Sequence, residues 1–194
     1  PLMAEGKVLP YLDVPFQHAH PDVLKRMKRP ASGEKNLERI LRWREICPDL
    51  TIRSSFIAGF PGETEEDFED TMRLVREVGH AQAYSFKYSP RPGTPAADMA
   101  DQIAMEIMDE RLQRLQAQIV ADQTAFNRNT VGKTCDVLLE RPGKFDGQLI
   151  GKSPWLQSVH VLAPDLSIGN IVSVQITDSG PLSLKGEPTM RAAA

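Results

Sequence analysis

The spacing of apolar residues changes near Gly132, and this change limits the folds open to the chain. Before this point, short apolar runs alternate with stretches of helical period. That alternation is typical of βα units built around a parallel sheet. After it, five short strand-like segments separated by turn residues follow within about sixty residues, as in a small antiparallel barrel. The sequence therefore predicts an α/β domain followed by an all-β domain.

The elements of the first part can be placed from periodicity and capping signals. We expect strands at 8–16, 51–60 and 83–88, and helices at 21–28, 34–46, 65–78 and 101–128. Thr64 is a predicted N-cap, since acidic residues follow it directly, and Gly79 is the predicted end of that helix. The predicted buried side of helix 34–46 consists of Leu37, Ile40, Leu41 and Ile46. The predicted stripe of helix 101–128 consists of Met108, Leu112, Leu115, Ile119 and Phe126.

The predicted strands of the second part lie at 135–140, 148–152, 158–162, 171–177 and 182–184. Gly132 is expected to end the long helix before them.

Composition excludes several classes of protein. The 194 residues carry 23 Lys and Arg against 26 Asp and Glu, a net charge of −3, so bulk charge does not indicate a strongly basic nucleic-acid binder. No apolar run is long enough to span a bilayer, and residues 1–14 show no secretory signal. The two cysteines, Cys47 and Cys135, are expected to be reduced thiols. We therefore expect a soluble, cytoplasmic protein.

Polar residues and glycines follow each predicted strand of the first part, where functional residues collect in barrels of parallel strands. Gln17, His18 and His20 follow the first strand, residues 59–64 the second, and residues 89–94 the third. Each cluster has a plain structural alternative. The histidines can form a polar turn and helix cap instead of binding a metal, the glycine turn can simply be tight, and Arg91 can belong to a solvated loop instead of binding an anion or a partner.

Residues 20–44 hold eight basic and three acidic side chains, a local excess of +5. Such a patch attracts phosphates even on a mildly acidic protein, although it can equally be a solvated helix face. The sequence contains no P-loop, no Ser-His-Asp arrangement and no Cys-x-x-Cys pair.

Three strings carry a resemblance to a known family. YLDVPFQHAHPDVLKRMKRP at 11–30, FIAGFPGETEEDF at 56–68 and YSPRPGTPA at 88–96, followed by a long helix and a small β domain, resemble the radical S-adenosylmethionine methylthiotransferases over nearly the whole chain. Residues 1–68 are more similar to the branch that modifies an aspartate of ribosomal protein S12. Residues 69–190 are more similar to the branch that modifies N6-isopentenyladenosine beside the tRNA anticodon, which makes a chimeric sequence one hypothesis.

The resemblance implies a fold and a domain division. The fold class is α/β, with the C-terminal half of a partial (β/α)6 radical SAM barrel followed by a small all-β TRAM barrel of the OB type. Residues 1–130 would form the last three βα units, residues 131–188 the TRAM domain, and residues 189–194 a disordered tail. The family's Cys-x-x-x-Cys-x-x-Cys motif is absent. Since thiolates hold 4Fe–4S clusters, we expect no cluster ligand and no activity in this chain alone.

The resemblance also implies residue roles toward S-adenosylmethionine. Gln17, Arg53, Tyr88 and Ser89 would face its pocket, and Ile57 to Gly59 would lie along the adenine. Arg53 would bind the methionyl carboxylate, since a guanidinium matches a carboxylate. The alternative is a structural Arg53 paired with Asp13 or Glu63. The implied chemistry is radical, begun by reductive cleavage of S-adenosylmethionine, with a second S-adenosylmethionine as methyl donor.

The TRAM-like region would bind RNA through basic side chains and aromatic rings. The candidates for RNA binding, together with Phe145, are Lys25, Arg29, Arg91, Arg141, Lys144, Lys152 and Trp155. Packing in the barrel is the alternative for Trp155. The expected partner is the tRNA anticodon stem-loop, with ribosomal protein S12 as the alternative substrate and a catalytically inactive RNA-binding module as the alternative class. We expect a monomer that binds no membrane.

Overall fold

The computed structural model describes residues 1–29 and 33–189, without the side chains of residues 33–35. The described chain forms two compact units. Unit 1 comprises Pro1 and Leu12–Asp122, and unit 2 comprises Leu2–Tyr11 and the chain from Gln123 onward. The predicted domain limits at residues 130 and 188 stay a prediction, and residues 190–194 of the predicted tail lie outside the described residues.

The first eight elements form a three-stranded sheet with helices. The strands are β1 (Tyr11–Asp13), β2 (Thr51–Ala58) and β3 (Gln82–Lys87), in the sheet order β1-β2-β3. The helices are α1 (Pro21–Arg26), α2 (Gly33–Ile46), α3 (Glu65–Val78), a short 3-10 helix (Pro95–Asp98) and α4 (Met105–Arg128). β2 and β3 run parallel with Arg53 opposite Gln82 and Ala58 opposite Lys87, so their carboxyl ends lie together.

Helix α3 forms where its capping signals predict. The Thr64 hydroxyl accepts from the Asp67 backbone N–H at 3.1 Å, and the Asp67 carboxylate accepts from the Thr64 N–H at 3.0 Å. This reciprocal pair satisfies two backbone donors that have no partner inside the helix. At the other end Gly79 adopts φ +58, a left-handed conformation that ends a helix readily.

The first strand is much shorter than predicted. Only Tyr11–Asp13 is strand within the predicted 8–16, and Pro10 and Pro15 flank it. Proline has no backbone N–H to give to a sheet, so it limits the ladder on both sides. Pairing resumes at Gln17 alone, which bridges to Phe56 in parallel orientation.

Two helix predictions also need correction. On α2, Leu41 and Ile46 are exposed, while Ile40 is fully buried. The buried arc instead follows helical spacing through Leu37, Ile40, Arg44 and Cys47. Helix α4 begins at Met105 instead of residue 101.

Two of the residues predicted to begin this helix, Asp101 and Gln102, instead form bonds to other segments. The Asp101 carbonyl accepts from the Gly62 N–H at 2.8 Å, and the Gln102 amide donates to the carbonyls of Ala96 and Met99. Met108, Leu115 and Ile119 are buried on α4 as predicted, while Leu112 and Phe126 are half-buried. The helix ends at Arg128, one turn before Gly132, whose N–H donates to Ile176.

Unit 2 contains the predicted five-stranded barrel, which is closed. Its strands are β4 (Thr134–Pro142), β5 (Gln148–Lys152), β6 (Ser158–Leu162), β7 (Ile171–Ser179) and β8 (Ser183–Pro188), in the order β4-β5-β6-β8-β7. The β6–β8 pair is parallel and the other pairs are antiparallel. Alternate residues fill the interior, among them Val137, Leu139, Val159, Val161, Val174 and Leu184. The predicted fold class is confirmed.

None of the helices in residues 1–29 and 33–189 combines the length and apolar character that a bilayer crossing requires.

Candidate functional site

A cavity of about 1010 Å³ lies at the carboxyl ends of β2 and β3, and we name it the strand-end cavity. Its walls are largely apolar, with cations among them. Its lining residues include Gln17, Arg26, Met27, Lys28, Arg29, Ile57, Phe60, Phe86, Lys87, Tyr88, Ser89, Arg91, Met105 and Met108. A concave, mostly apolar space with a few converging polar groups is the usual form of a small-molecule site.

The strand-end cavity brings together most residues predicted to face S-adenosylmethionine. Gln17, Ile57, Tyr88 and Ser89 all line it, although their segments are far apart in sequence. Arg29 and Arg91, predicted for RNA, line it as well. Lys25 is exposed in the last turn of α1, outside the lining.

Gln17 occupies a conformation that is rare for residues other than glycine. Its φ is +67, in the left-handed region that few non-glycine residues adopt. Two backbone bonds hold it there, from its N–H to Ser55 and from the Ile57 N–H to its carbonyl, both at 2.8 Å. Backbone held in such a region by its surroundings is frequent at functional sites.

Gly59 lies at the cavity wall but is not exposed to its interior. Its φ is +76, and a Cβ at this position would collide with the side chain of Met108. The side chain of Met108 therefore fills the space beside the Gly59 Cα, where a ligand is predicted to approach. The glycine is needed because of the left-handed backbone and the packing of α4.

A buried carboxylate holds this turn in place. Both Glu63 oxygens accept from the Gly59 N–H, at 3.0 and 3.1 Å. Arg111 Nη1 donates to Glu63 Oε1 at 2.8 Å, and His18 Nε2 lies 3.2 Å from Oε2. The Glu63 and His18 side chains are fully buried, so the ion pair and the imidazole contact compensate the lost hydration of the carboxylate. His18 thus belongs to the scaffold of the cavity.

The second predicted histidine lies outside this cluster. His20 Nδ1 is 3.0 Å from Asp67, and Nε2 is 3.9 Å from Asp70. His20 occupies the N-cap position of α1 without a side-chain capping bond.

Arg53 does not reach the strand-end cavity. Its Nε donates to Asp13 Oδ2 at 2.9 Å, a second bond joins Nη2 to the same oxygen, and the guanidinium lies 5.5 Å from the Tyr84 ring centroid. The structure therefore shows the alternative in which Arg53 pairs with Asp13. Glu63, the other candidate partner, is taken by Arg111.

The cavity has a cationic rim, and the described residues that line it include no carboxylate. Lys87 is neutralised by Asp109 at 2.6 Å. Lys28, Arg29 and Arg91 are exposed and form no ion pair within the described part of the chain. Such cations favour a ligand or partner that carries negative charge.

Two buried polar atoms at the cavity have no hydrogen-bond partner among the described residues. They are Tyr88 Oη and Arg26 Nε. Buried polar groups are nearly always satisfied in folded proteins, so each exception requires an explanation.

Within residues 1–29 and 33–189, no group of three or more His, Cys, Asp or Glu side chains is arranged so that it could hold a metal ion. Cys47 and Cys135 are both buried. Burial, reinforced by the nearby Asp136, raises the pKa of the Cys135 thiol to about 11, which keeps it protonated and poorly reactive at neutral pH.

The predicted RNA-binding residues of unit 2 differ in exposure. Arg141, Lys144 and Phe145 are exposed on the β4–β5 hairpin, and Lys144 Nζ lies 5.9 Å from the Phe145 ring centroid. Lys152 is half-buried and bonds to Ser158 Oγ at 3.0 Å. Trp155 is half-buried and packs against the barrel core, as in the packing alternative.

Several cavity features were missed in the sequence. Arg26 was part of the basic patch but was not distinguished within it, and Met105 and Met108 were assigned only to a helix. The Glu63–Arg111 pair has a partial signal, the acidic residue closing the Gly-Phe-Pro-Gly turn, but nothing local identifies an arginine 48 residues later.

Family models match both parts of the chain. A Radical SAM superfamily model matches residues 1–75, and a TRAM domain model matches residues 128–189. Among solved structures, coproporphyrinogen III oxidase (HemN) from Escherichia coli, a Radical SAM enzyme, is similar with a TM-score of 0.51 and 16% identity. The match covers 89% of this chain and 42% of that one, and it concerns the fold alone.

Relatives in sequence are much more similar. The tRNA-2-methylthio-N(6)-dimethylallyladenosine synthase of Erythrobacter litoralis is 54% identical over 97% of this chain, and that of Sphingopyxis alaskensis is 56% identical over 96%. The chain spans 42% of the length of each relative. Both matches include nearly all of residues 1–68. The two domain matches in this order, with relatives more than 50% identical, show that the chain carries Radical SAM and TRAM domains and aligns with the C-terminal part of these synthases.

Proposed function

We propose that the chain is part of a tRNA methylthiotransferase that adds a methylthio group to N6-isopentenyladenosine beside the anticodon. The observation that carries this proposal is the identity above 50%, across nearly the whole chain, to relatives named for this reaction. The strand-end cavity supports it, because four residues predicted for S-adenosylmethionine converge there.

The lining of the cavity fits S-adenosylmethionine. Apolar side chains of Ile57, Phe60 and Phe86 can cover an adenine, while Gln17 and Tyr88 can donate hydrogen bonds. When bound, S-adenosylmethionine supplies the radical chemistry and the methyl group. The chain's own residues bind and orient it, and the apolar walls exclude water around the reacting groups.

The residues of this chain do not fit an iron–sulfur cluster. Such a cluster needs several converging thiolates, whereas both cysteines are buried and no converging ligand group occurs in the described residues. The cluster ligands therefore belong to protein outside this chain, and the chain alone is inactive.

Two surfaces would bind the RNA. The hairpin tip of unit 2 offers Lys144 and Phe145, a cation beside an exposed ring, which is the combination that single-stranded RNA recognition uses. The rim of the strand-end cavity in unit 1 offers Arg29 and Arg91. Both sets contact phosphates in the proposed complex.

Binding of an anticodon stem-loop carrying isopentenyladenosine tests the proposal. We expect the chain to bind this RNA with an affinity that falls as the salt concentration rises. Arg91→Gln and Lys144→Gln should each reduce the magnitude of the slope of log K against log salt by about 0.7. Lys185→Gln is the matched control, since Lys185 is exposed and paired with Asp178.

The outcomes separate the candidate functions. RNA and S-adenosylmethionine binding together support the methylthiotransferase. RNA binding without S-adenosylmethionine binding indicates an RNA-binding module, and preferential binding of ribosomal protein S12 indicates the protein-modifying branch. We further propose that the protein is a monomer in the cytoplasm. Sedimentation tests the monomer, and cell fractionation tests the location.

A further inference from the structure

A second, smaller cavity of about 170 Å³ lies beside helix α2, and we name it the α2 groove. The chain after β1 and α1 supplies one wall, at Phe16, Leu24 and Arg29 among others. One face of α2 supplies the other wall, because four residues with the helical spacing i, i+3, i+4 and i+7 line the groove together. These residues are Asn36, Arg39, Ile40 and Trp43.

The α2 groove has an apolar floor and a cationic edge. Phe16, Leu24 and Ile40 are buried, whereas Arg29 and Arg39 are exposed. Neither arginine forms an ion pair with the residues that the structure describes, and the described lining includes no carboxylate. The groove therefore favours a ligand that carries negative charge.

An aromatic ring lies next to one of these arginines. Trp43 follows Arg39 by four residues on α2, so the two side chains are neighbours on the surface of the helix. Trp43 is half-buried, which leaves part of its ring accessible from the groove. A cation beside an accessible ring suits a nucleotide, since the cation contacts a phosphate while the ring stacks on a base.

The volume of the α2 groove favours one unit of a longer ligand. Pockets that enclose a whole small molecule usually measure about 300 to 1,000 Å³, and this groove is smaller, at about 170 Å³. A single nucleotide of a polymer can use so small a site, because its neighbours lie outside it. The groove also adjoins the strand-end cavity, since Arg29 lines both.

We propose that the α2 groove binds one unpaired nucleotide of the RNA, with its phosphate on Arg39 and its base stacked on Trp43. The inference rests on the proposed function, which makes an RNA the substrate. The nucleotide is unpaired because a base inside a duplex has no free face for the ring. Arg29 then connects this nucleotide to the part of the RNA at the rim of the strand-end cavity.

The first test compares Arg39→Gln with Arg42→Gln. Arg42 is the matched control, because it is an exposed arginine on the same helix but lies outside the groove lining. The 194-residue chain and both variants are titrated by anisotropy with the anticodon stem-loop carrying isopentenyladenosine, at several salt concentrations. Arg29 stays unchanged, because its loss would affect both cavities.

Arg39→Gln should weaken RNA binding by about tenfold, the loss typical of a charge-assisted hydrogen bond. It should also reduce the magnitude of the slope of log K against log salt by about 0.7. Arg42→Gln should change the affinity by less than about twofold and leave the slope unchanged. Equal effects of the two substitutions overturn the inference, since Arg39 would then act only through the overall charge of the surface.

The second test concerns the stacking. In a Trp155→Phe variant, where Trp43 is the remaining tryptophan, the RNA should quench the Trp43 fluorescence. Trp43→Leu should weaken RNA binding by about tenfold without changing the salt slope, because the ring carries no charge. If Trp43→Leu lowers the melting temperature, the quenching decides, since it is measured on the folded protein.

RNA that binds without quenching Trp43 overturns the inference. Equal quenching by a peptide of repeated aspartate and glutamate also overturns it, since the groove would then be a site for an acidic protein segment. If the unaltered chain binds no RNA at all, the proposed function itself fails, and the inference fails with it. Failure of the groove alone leaves RNA binding by the unaltered chain intact.

Discussion

Arg111 on α4 donates from one nitrogen, Nη1, to both the carboxylate and the carbonyl of Glu63, at 2.8 and 3.1 Å. Both side chains are almost completely buried, at 6% and 0% exposure. The pair fastens α4 to the turn after β2, and the same carboxylate holds the Gly59 N–H. Replacing either residue therefore disturbs both the helix and the cavity wall.

Arg111→Met should lower the free energy of unfolding of unit 1 by about 3 to 5 kcal/mol, because it leaves a buried carboxylate without its cation. Arg114→Met is the control on the same helix. Arg114 is half-buried over the Phe68 ring, but its three partner carboxylates, Glu65, Glu69 and Glu110, are each at least 43% exposed, so its loss should cost only about 1 kcal/mol.

Urea unfolding followed by Trp43 fluorescence, in a Trp155→Phe background, would measure both changes. The chain has two tryptophans, and Trp43 alone lies in unit 1. Equal destabilisation by the two substitutions would contradict the burial argument.

Gly59→Ala should destabilise unit 1 more than Gly79→Ala. Both positions have left-handed backbone, at φ +76 and +58, but only Gly59 faces a side chain, that of Met108, where a Cβ would be placed. Gly79→Ala should cost about 1 kcal/mol for the backbone alone. Gly59→Ala should cost about 1 to 3 kcal/mol more because of the collision, as measured by the same fluorescence experiment. Similar losses for the two variants would show that Met108 moves aside freely.

His80 should make unit 1 sensitive to acid. Burial, assisted by the positive charge of Arg44, lowers the pKa of His80 from 6.5 to about 4, although a backbone hydrogen bond at Val75 acts in the opposite direction. The unfolded chain then binds a proton more readily than the folded one. The contribution of neutral His80 to the free energy of unfolding is therefore fully present above pH 6.5. The free energy of unfolding falls by about 3 kcal/mol as the pH drops to 4.

His80→Phe should remove most of this pH dependence, since the site is bordered by the rings of Phe16 and Phe56. Unfolding free energies of both proteins between pH 4 and 7 provide the measurement. Parallel pH profiles for the two proteins would show that other groups cause the acid sensitivity.

A buried amide should contribute strongly to unit 2. Gln157 Nε2 donates to Asn127 Oδ1 at 2.7 Å and to Thr130 Oγ1 at 3.2 Å, which connects the end of α4 to the barrel. Gln157→Leu leaves buried Asn127 and Thr130 acceptors unsatisfied and should cost about 1 to 3 kcal/mol. Gln175→Leu on the exposed side of β7 is the control. Urea unfolding followed by Trp155 fluorescence, in a Trp43→Phe background, measures both free-energy changes. Equally small changes for the two variants would contradict the prediction.

Most secondary-structure elements and the order of the two domains can be predicted from local patterns in the sequence. The capping residues of α3 act within one helical turn, and the alternation along β4 to β8 reports which side chains enter the barrel. Such signals depend on neighbours a few residues apart, so they can be read without the fold. The predicted length of the strand at 8–16 was wrong because prolines flank β1, and the placement of Leu41 and Ile46 on the buried side of α2 was wrong because Arg44 packs on that side instead.

Which side chains meet depends on how the elements pack in three dimensions. Gln17, Ile57 and Tyr88 come together because parallel strands end at one edge, a geometry the resemblance anticipated. The pairing of Arg53 and of Arg26 could not be predicted from the sequence. It depends on Asp13 lying within reach of Arg53 and on the Gly62 carbonyl accepting from Arg26, contacts between residues 40 and 36 positions apart. Long-range pairing of charged groups follows from the packing of the elements, and no local pattern encodes it.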